Sequence, residues 1–443
     1  MAYSRTIRTK GQAAWDTREH CGSVARAALA GSNPINHPLD SGLHYQAVVD
    51  HCLTGNDVRP SPVAAPAGAT LPDPSVGPFA TTRQPDVVFG ETYACSSPQS
   101  VSILINNFNY QSFVGAAIES ALGQTQPAQI IVVDDGSSDE SREVISRFAD
   151  RTHVVFKPNG GQASAMNEAF ALATGDLVVF LDSDDLLAPN LVETLLTRWR
   201  PGTVLAQYPL SIIDASGASR GVYPDPPEIG LADGDVRPQL LTTGGFAVNV
   251  TSGLVFARRA LEQVMPIPQR PFRNGADGYL TRAVAFLGPV QRIDTRLGSY
   301  RQHGRNDSDV CAVSAGLADG FRKKIRYAET EFFTTRTFAG KHGYSTPTDL
   351  GERDAQYIGY RLFSLLLEPQ RHPIRSDRRW PLLRRYVQAR WHSRWRTHRK
   401  LLALSLTGVA TLAPTRLSST LIRWLHDSTS RPSWLRMLTP KRG

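Results

Sequence analysis

The chain has 443 residues, 41% hydrophobic and 20% charged, a composition that excludes a disordered or fibrous protein and leaves room for two or three domains. Four cysteines (Cys21, Cys52, Cys95, Cys311) lie far apart with no CxxC pair, which argues against a zinc ribbon or a disulfide framework and fits a reducing compartment. The net charge of +9 sits at one end: residues 371–443 hold 17 Lys and Arg against Asp377 and Asp427, or +15, leaving −6 for the rest. The first residues contain no apolar core of secretory type, so export by that route is not expected. The stretch 401–414 is too short for the roughly 18–20 apolar residues that span a bilayer. A cytoplasmic location follows as the expectation, with the basic tail a candidate for the inner membrane face.

Residues 1–98 read as a low-complexity leader, Pro/Ala/Gly-rich over 59–78, with a short helix around 22–30. Regular structure starts at Val101. VSILINNF reads as a strand, Phe113–Gln124 as a helix, and QIIVVDDG as a strand with too few polar positions to alternate. SREVISRFA follows as a helix with Ser138 or Asp139 as its cap. His153–Lys157 is a third strand, Gly161–Ala173 a helix and LVVFLD a fourth strand, followed by a helix over 191–200. Residues 203–260 mix short apolar runs with loops, with turns at 225–227 and 242–245. Helices are expected over 315–332 and 352–367.

Strands alternating with helices of this length predict βαβ units, hence a mostly parallel α/β sheet covered by helices. Asn106, the pair Asp134 and Asp135, and the pair Asp182 and Asp184 all fall at carboxyl ends of strands. Ligands of such sheets bind at that edge, near the switch in strand order. The stretch VVFLDSDDLLAPN places three carboxylates within four positions, where like charges disfavour one another's ionised forms. A hard divalent cation would neutralise them while keeping positions for phosphate oxygens. Asp185, followed by Leu-Leu-Ala-Pro, reads as the cap of the next helix. No Walker-type loop occurs, and no Gly-x-Gly-x-x-Gly follows the first strand, which disfavours P-loop and dinucleotide chemistry.

The ordered run VSILINNFNY, IIVVDDGSSDES and KPNGGQASAMNEAFALATGDLVVFLDSDD resembles the family 2 glycosyltransferases of the GT-A fold, closely over 101–200 and more loosely to about residue 310. The resemblance implies an inverting transfer from a nucleotide-diphosphate sugar, of UDP type, to a hydroxyl acceptor in glycan or cell-surface polysaccharide synthesis. It implies that Asn106 approaches the nucleotide, Asp134 or Asp135 accepts from the base, and Asn159, Gly160 and Gly161 form the turn before the helix. Asn167 would lie under the ribose and Asp182 would contact it. Asp184 would ligate Mn²⁺ or Mg²⁺ with His303 nearby, Arg301 would sit near the phosphates, and Asp277 would deprotonate the acceptor. Met166 stands where the family often has Arg, and Ala276 where an acidic partner is common.

Two other classes stay open on the sequence. A sugar-phosphate nucleotidyltransferase shares the sheet and acidic site, although NNFNYQSF lacks its Gly-rich basic loop; a nucleotide-sugar-binding or glycan-binding protein without turnover needs no base at Asp277. Residues 99–310 form the expected catalytic domain and 311–370 a helical extension packed on it. The tail from 371 holds five of the seven tryptophans, and Leu383, Val387, Trp391 and Trp395 recur every four residues beside Arg384, Arg385 and Arg394. A basic amphipathic helix with interfacial aromatics reads as an anionic membrane-surface element; packing of that stripe on the catalytic domain is the alternative. A nucleic-acid partner is disfavoured because no recognised module accompanies the basic residues.

Overall fold

Two strand-end pairs place the ligand edge of this protein. In the computed structural model, which describes residues 93–224, 230–303, 316–393, 395–426, 430–433 and 435, Asn106 stands beside Asp182 and Asn107 beside Asp134 in the sheet register. The chain divides into Met1–Arg59 and Pro60–Gly443, and everything described lies in the second unit. The helix expected around 22–30, the Pro-rich stretch 59–78 and the turn at 225–227 lie outside the described residues.

The sheet is built in chain order. β1 (Val101–Asn107), α1 (Val114–Leu122), β2 (Gln129–Asp134), α2 (Ser141–Ser146), β3 (His153–Phe156), α3 (Gln162–Leu172) and β4 (Leu177–Asp182) form its parallel half. Ile131, Val132 and Val133 of β2 are all fully buried, as expected of a strand covered on both faces. Each such side chain contributes about 1.5–3 kcal/mol relative to an exposed position. Helix α1 buries Val114, Ala117, Ile118 and Ala121, one stripe at 3.6-residue spacing. The residue at the cap position of α2 is Glu140, one beyond the expected candidates, though Asp139 Oδ1 still accepts the Ser141 N–H at 3.0 Å.

The chain then adds β5 (Leu186–Leu187), α4 (Leu191–Arg198), β6 (Leu205–Gln207), β7 (Leu210–Asp214), β8 (Ser219–Tyr223), α5 (Arg237–Thr243), β9 (Leu254–Ala257), α6 (Arg258–Glu262), α7 (Ala276–Val284), β10 (Val290–Arg292) and β11 (Gly298–Gln302). The main sheet has the order β10-β6-β9-β4-β1-β2-β3, with β9 antiparallel to β4 and β6 and every other pairing parallel. A second sheet, β5-β11-β7-β8, stands apart from it. The strand order switches at β1, which β2 and β4 flank, so a ligand crevice is expected at its carboxyl end.

Helices α8 (Leu317–Lys341), α9 (Ala355–Leu367), α10 (Arg379–Trp391), α11 (Thr397–Leu412) and α12 (Thr415–His426) complete the described chain. They share their own apolar cluster, from Phe321 and Ile325 through Ile358, Leu362 and Tyr386 to Ile422. Asp354 caps α9, accepting the N–H groups of Gln356 (2.7 Å) and Tyr357 (3.2 Å). Behind that helix, buried Arg361 pairs with Glu352 and Asp377, and Asp377 Oδ2 also meets His372 Nε2 at 3.0 Å.

The expected stripe of α10 is divided: Leu383 packs half-buried on the helical cluster, and the residues after it turn outward. Leu382, Tyr386 and Arg390 are buried, whereas Val387 is 39% and Trp391 52% exposed. The helix ends at Trp391 instead of running on to Trp395, whose ring lies 4.1 Å from the Arg390 guanidinium carbon. A four-residue repeat marks a stripe without saying which of two stripes a neighbour covers.

Candidate active site

Register and side-chain chemistry build the rim together. Asn106 donates its Nδ2 to Asp182 Oδ1 at 3.1 Å, and Asn107 donates to Asp134 Oδ1 at 2.9 Å. Asp134 is fully buried and also accepts Ser137 N (3.0 Å), Ser137 Oγ (2.5 Å) and Arg142 Nε (3.1 Å). Asp135, likewise buried, accepts Lys157 Nζ (2.5 Å), Gly160 N (2.9 Å) and Gly161 N (2.6 Å). The carboxylate thus shapes the 157–161 turn with charge-assisted bonds.

Gly161 requires its identity. Its φ is +90°, and a Cβ there would lie 2.6 Å from the Arg273 carbonyl oxygen. Arg273 in turn bonds to Asn159 Oδ1. The turn is therefore locked to the segment that leads into α7.

The acidic cluster divides by role. Asp182 accepts from Asn106 and from Gln162 Nε2 at 3.2 Å. Burial and the charge of Asp184 push its carboxyl up to about 7, against the hydrogen bond from Asn106. Asp184 Oδ2 lies 2.9 Å from His303 Nε2, whose ring stacks on Phe113 at 5.1 Å and meets Tyr110 edge-on at 5.5 Å. Asp185 does not cap the following helix, as its sequence position suggested. It is buried and accepts the Arg301 N–H at 2.8 Å, tying this loop to β11; Asn190 occupies the cap position of α4. Burial, with the charges of Asp184 and Asp182, raises its carboxyl well above the usual range.

Two predicted residues hold the frame. Buried Arg301 donates Nε to the Asp184 carbonyl (2.7 Å) and Nη1 to those of Asp214 (3.2 Å) and Ala215 (3.3 Å), with its guanidinium carbon 4.9 Å from the Phe113 ring centre. Asn167 pairs both ends of its amide with the backbone of Ile267, at 2.9 and 2.8 Å.

Asp277 occupies the first turn of α7, where burial raises its carboxyl. Its charge reaches Asp182. Three further residues were not singled out in the sequence: Asn107, Gln162 and Glu331. Asn107 was legible, since a strand ending in Asn-Asn between two strands ending in Asp invites one amide per carboxylate. Glu331 on α8 was not, because it reaches Arg282 of α7 (2.7 Å) from 49 positions away. Its carboxylate stands where a Cβ on Gly278 would be, beside the Asp277 position that lacks an acidic neighbour in sequence.

Among the described residues no three His, Cys, Asp or Glu side chains already form a metal cage. The pair Asp184 and His303 nevertheless suits a Mn²⁺ or Mg²⁺ ion that takes one or two protein ligands and completes its shell with phosphate and water oxygens. The crowded, charge-disfavouring carboxylates fit the same ion, and Asn106 Oδ1 is buried with no hydrogen-bond partner among the described residues.

A mixed α/β sheet with flanking helices, and acids gathered at its switch point, defines the GT-A class. A sequence profile described as "Glycosyl transferase family 2" matches residues 102–264. An uncharacterized glycosyltransferase of Nostoc sp. is 33% identical over 264 residues, 58% of this chain and 80% of that protein. The chain belongs to glycosyltransferase family 2 and is a glycosyltransferase. Succinoglycan biosynthesis protein ExoU of Rhizobium meliloti is 35% identical over 243 residues, covering 52% of this chain and 60% of ExoU. A UDP-Glc:alpha-D-GlcNAc-diphosphoundecaprenol beta-1,3-glucosyltransferase of Escherichia coli, WfaP, is 33% identical over 132 residues, 29% of this chain and 53% of WfaP. The nucleotidyltransferase alternative falls with that membership.

Proposed function

We propose that the enzyme moves a sugar, with inversion, from a UDP-sugar to a hydroxyl of a glycan or lipid-linked acceptor in cell-surface polysaccharide assembly. The observation that carries this reading is the convergence of Asn106, Asp182, Asp184 and His303 at the carboxyl end of β1 and β4. The similarity to ExoU and WfaP supports the glycan and the lipid-linked acceptor. Asp135 is the better candidate for the nucleobase: a carboxylate offers about four acceptor sites, of which it uses three and Asp134 uses four. Asn159 and Gly160 shape the nucleotide turn, and Asn167 acts through the loop that it holds. Asp182 faces the ribose, while Arg301 fixes the backbone of Asp184 so that this carboxylate and His303 hold Mn²⁺ or Mg²⁺.

A bound divalent ion supplies stabilisation of the negative charge on the departing diphosphate. The chain's own part in the reaction is at Asp277. Its carboxylate takes the proton of the acceptor hydroxyl, and its burial makes it a stronger base than an exposed aspartate. A single displacement at the anomeric carbon inverts configuration. A thermal-shift screen of UDP-sugars with and without Mn²⁺, followed by transfer to a lipid-diphosphate sugar, tests the reading. No metal-dependent shift with any nucleotide sugar would overturn it, and donor binding without transfer to that acceptor would overturn the lipid-linked acceptor.

The enzyme rests on an anionic membrane surface through its tail. Seven of the ten large hydrophobic side chains exposed among the described residues belong to α10–α12, including Trp380 (59%), Trp391 (52%) and Leu412 (74%). Arg384 is exposed beside the Trp380, Val387 and Trp391 stripe. Apolar and basic groups on one helix face fit acyl chains below and lipid phosphates above. No described helix is long and apolar enough to cross a membrane. The full chain should sediment with phosphatidylglycerol vesicles at low salt and stay with phosphatidylcholine far less. Equal failure with both would end the membrane reading.

A further inference from the structure

We propose that Gln162 is a positioning residue that ties the donor-side carboxylate of Asp182 to the helix carrying Asp277. The proposal rests on the roles just given to those two acids. Gln162 opens α3 immediately after the Gly160-Gly161 turn. Its Oε1 accepts the N–H groups of Gly275 (2.7 Å) and Ala276 (3.2 Å), and its Nε2 donates to Asp182 Oδ1 (3.2 Å).

The orientation of this amide is determined by its partners. The two N–H groups at the start of α7 can be met only by the oxygen end, which leaves the nitrogen end for the Asp182 oxygen. The first N–H groups of any helix lack intrahelical partners, and Gly275 at the cap position of α7 offers no side chain. A residue of another helix, α3, therefore supplies the acceptor for the Gly275 and Ala276 N–H groups. Gly275 sits at φ +75°, and a Cβ there would overlap the ring of Tyr327, so no side chain at that position could take over.

The consequence is geometric. The segment joining α6 to α7 runs over residues 263–275, and Asn167 and Asn159 hold it at Ile267 and Arg273. The Gln162 amide adds the one direct side-chain link described between the ribose-facing carboxylate and the start of the helix that bears the base. The same side chain, on the helix that follows the turn organised by Asp135, joins the end of β4 to the start of α7.

Two variants separate the two ends of the amide. Gln162→Met keeps the length and loses both bonds; Gln162→Glu keeps the acceptor for α7 and loses the donor to Asp182, adding negative charge beside it. Hydrogen exchange of peptides covering 272–280 reads the cap, and calorimetry with UDP and Mn²⁺ reads the donor side. Gln162→Met should exchange at least tenfold faster at the start of α7, with β1–β4 peptides unchanged. Gln162→Glu should restore protection to within about threefold of the parent and weaken UDP binding about tenfold more than Gln162→Met does. Unchanged exchange in Gln162→Met overturns the cap. Equal UDP affinities in the two variants overturn the tie to Asp182. If the parent chain itself fails to bind UDP with Mn²⁺, the donor-site reading fails, and the exchange arm still decides the cap.

Discussion

Asn106 donates to Asp182 at 3.1 Å, one step along β1 from the bond that Asn107 makes to Asp134 at 2.9 Å. Successive residues of one strand thus serve its two neighbours, and the two bonds pin the carboxyl ends of three strands at one edge. Asn107→Leu removes the buried donor that Asp134 and Ser137 share. Leaving buried acceptors short of a partner costs about 1–3 kcal/mol, so urea unfolding should show a lowered midpoint with an unchanged slope. A parent-like midpoint would show that the bond is dispensable.

Asp184→Ala should abolish transfer and remove the Mn²⁺ dependence of UDP binding. Calorimetry with UDP in Mn²⁺ and in EDTA checks the second point independently of any acceptor. Full activity in this variant would refute the metal role of the Asp184 and His303 pair.

The metal-free protein should respond to pH through Asp182. Its carboxyl stands at about 7 in the folded chain, above the ~3.9 of an unfolded one. A raised folded value means that this group favours the fold below about pH 4 and that its contribution is lost as pH rises through about 7. Adding Mn²⁺ should therefore raise the melting temperature more at pH 8 than at pH 5. An equal Mn²⁺ shift at both pH values would count against a cation beside this carboxylate.

Asp277→Asn should lower kcat by ~10²–10⁴, the range for loss of a positioned base, with little change in UDP affinity. Because burial raises the Asp277 carboxyl, the acid limb of the parent's pH–rate profile should lie above the usual carboxylate range. The base assignment fails if the variant keeps that limb and most of its rate.

Gly161→Ala forces a side chain into a backbone region that glycine alone adopts readily, at about 1–3 kcal/mol, and against the Arg273 carbonyl. The displaced segment leads to Asp277, so both stability and turnover should fall. Gly202, also at positive φ but with open space around it, is the control in which only the strain remains.

The parallel half of the sheet was legible because its strands are continuous apolar runs between helices of ordinary spacing. The antiparallel half was not: β6 and β9 are three and four residues long, too short for a period to show. Helix α8 runs to Lys341, nine residues beyond the expected 315–332, since its face buries Phe332, Phe338 and Ala339 through an uneven, polar-interrupted pattern. The site acids could be placed on one edge from strand ends alone. Asp185 could not be assigned, because its partner is a backbone N–H of β11, 116 positions away. Gln162 carried no signal of its own, since its three partners, Asp182, Gly275 and Ala276, are brought to it by the fold.

The Arg361 pairing with Asp377 bears on how the polypeptide can be shortened. The guanidinium belongs to α9, while its buried counter-ion lies beyond residue 371. Cutting the chain there would leave that buried cation with Glu352 alone and remove Leu382, Tyr386, Leu421 and Ile422 from the apolar cluster, so the C-terminal segment acts as a keystone of that bundle rather than a detachable tether. Replacing Trp380, Val387 and Trp391 at the surface leaves that bundle whole, whereas deleting the segment that carries them does not.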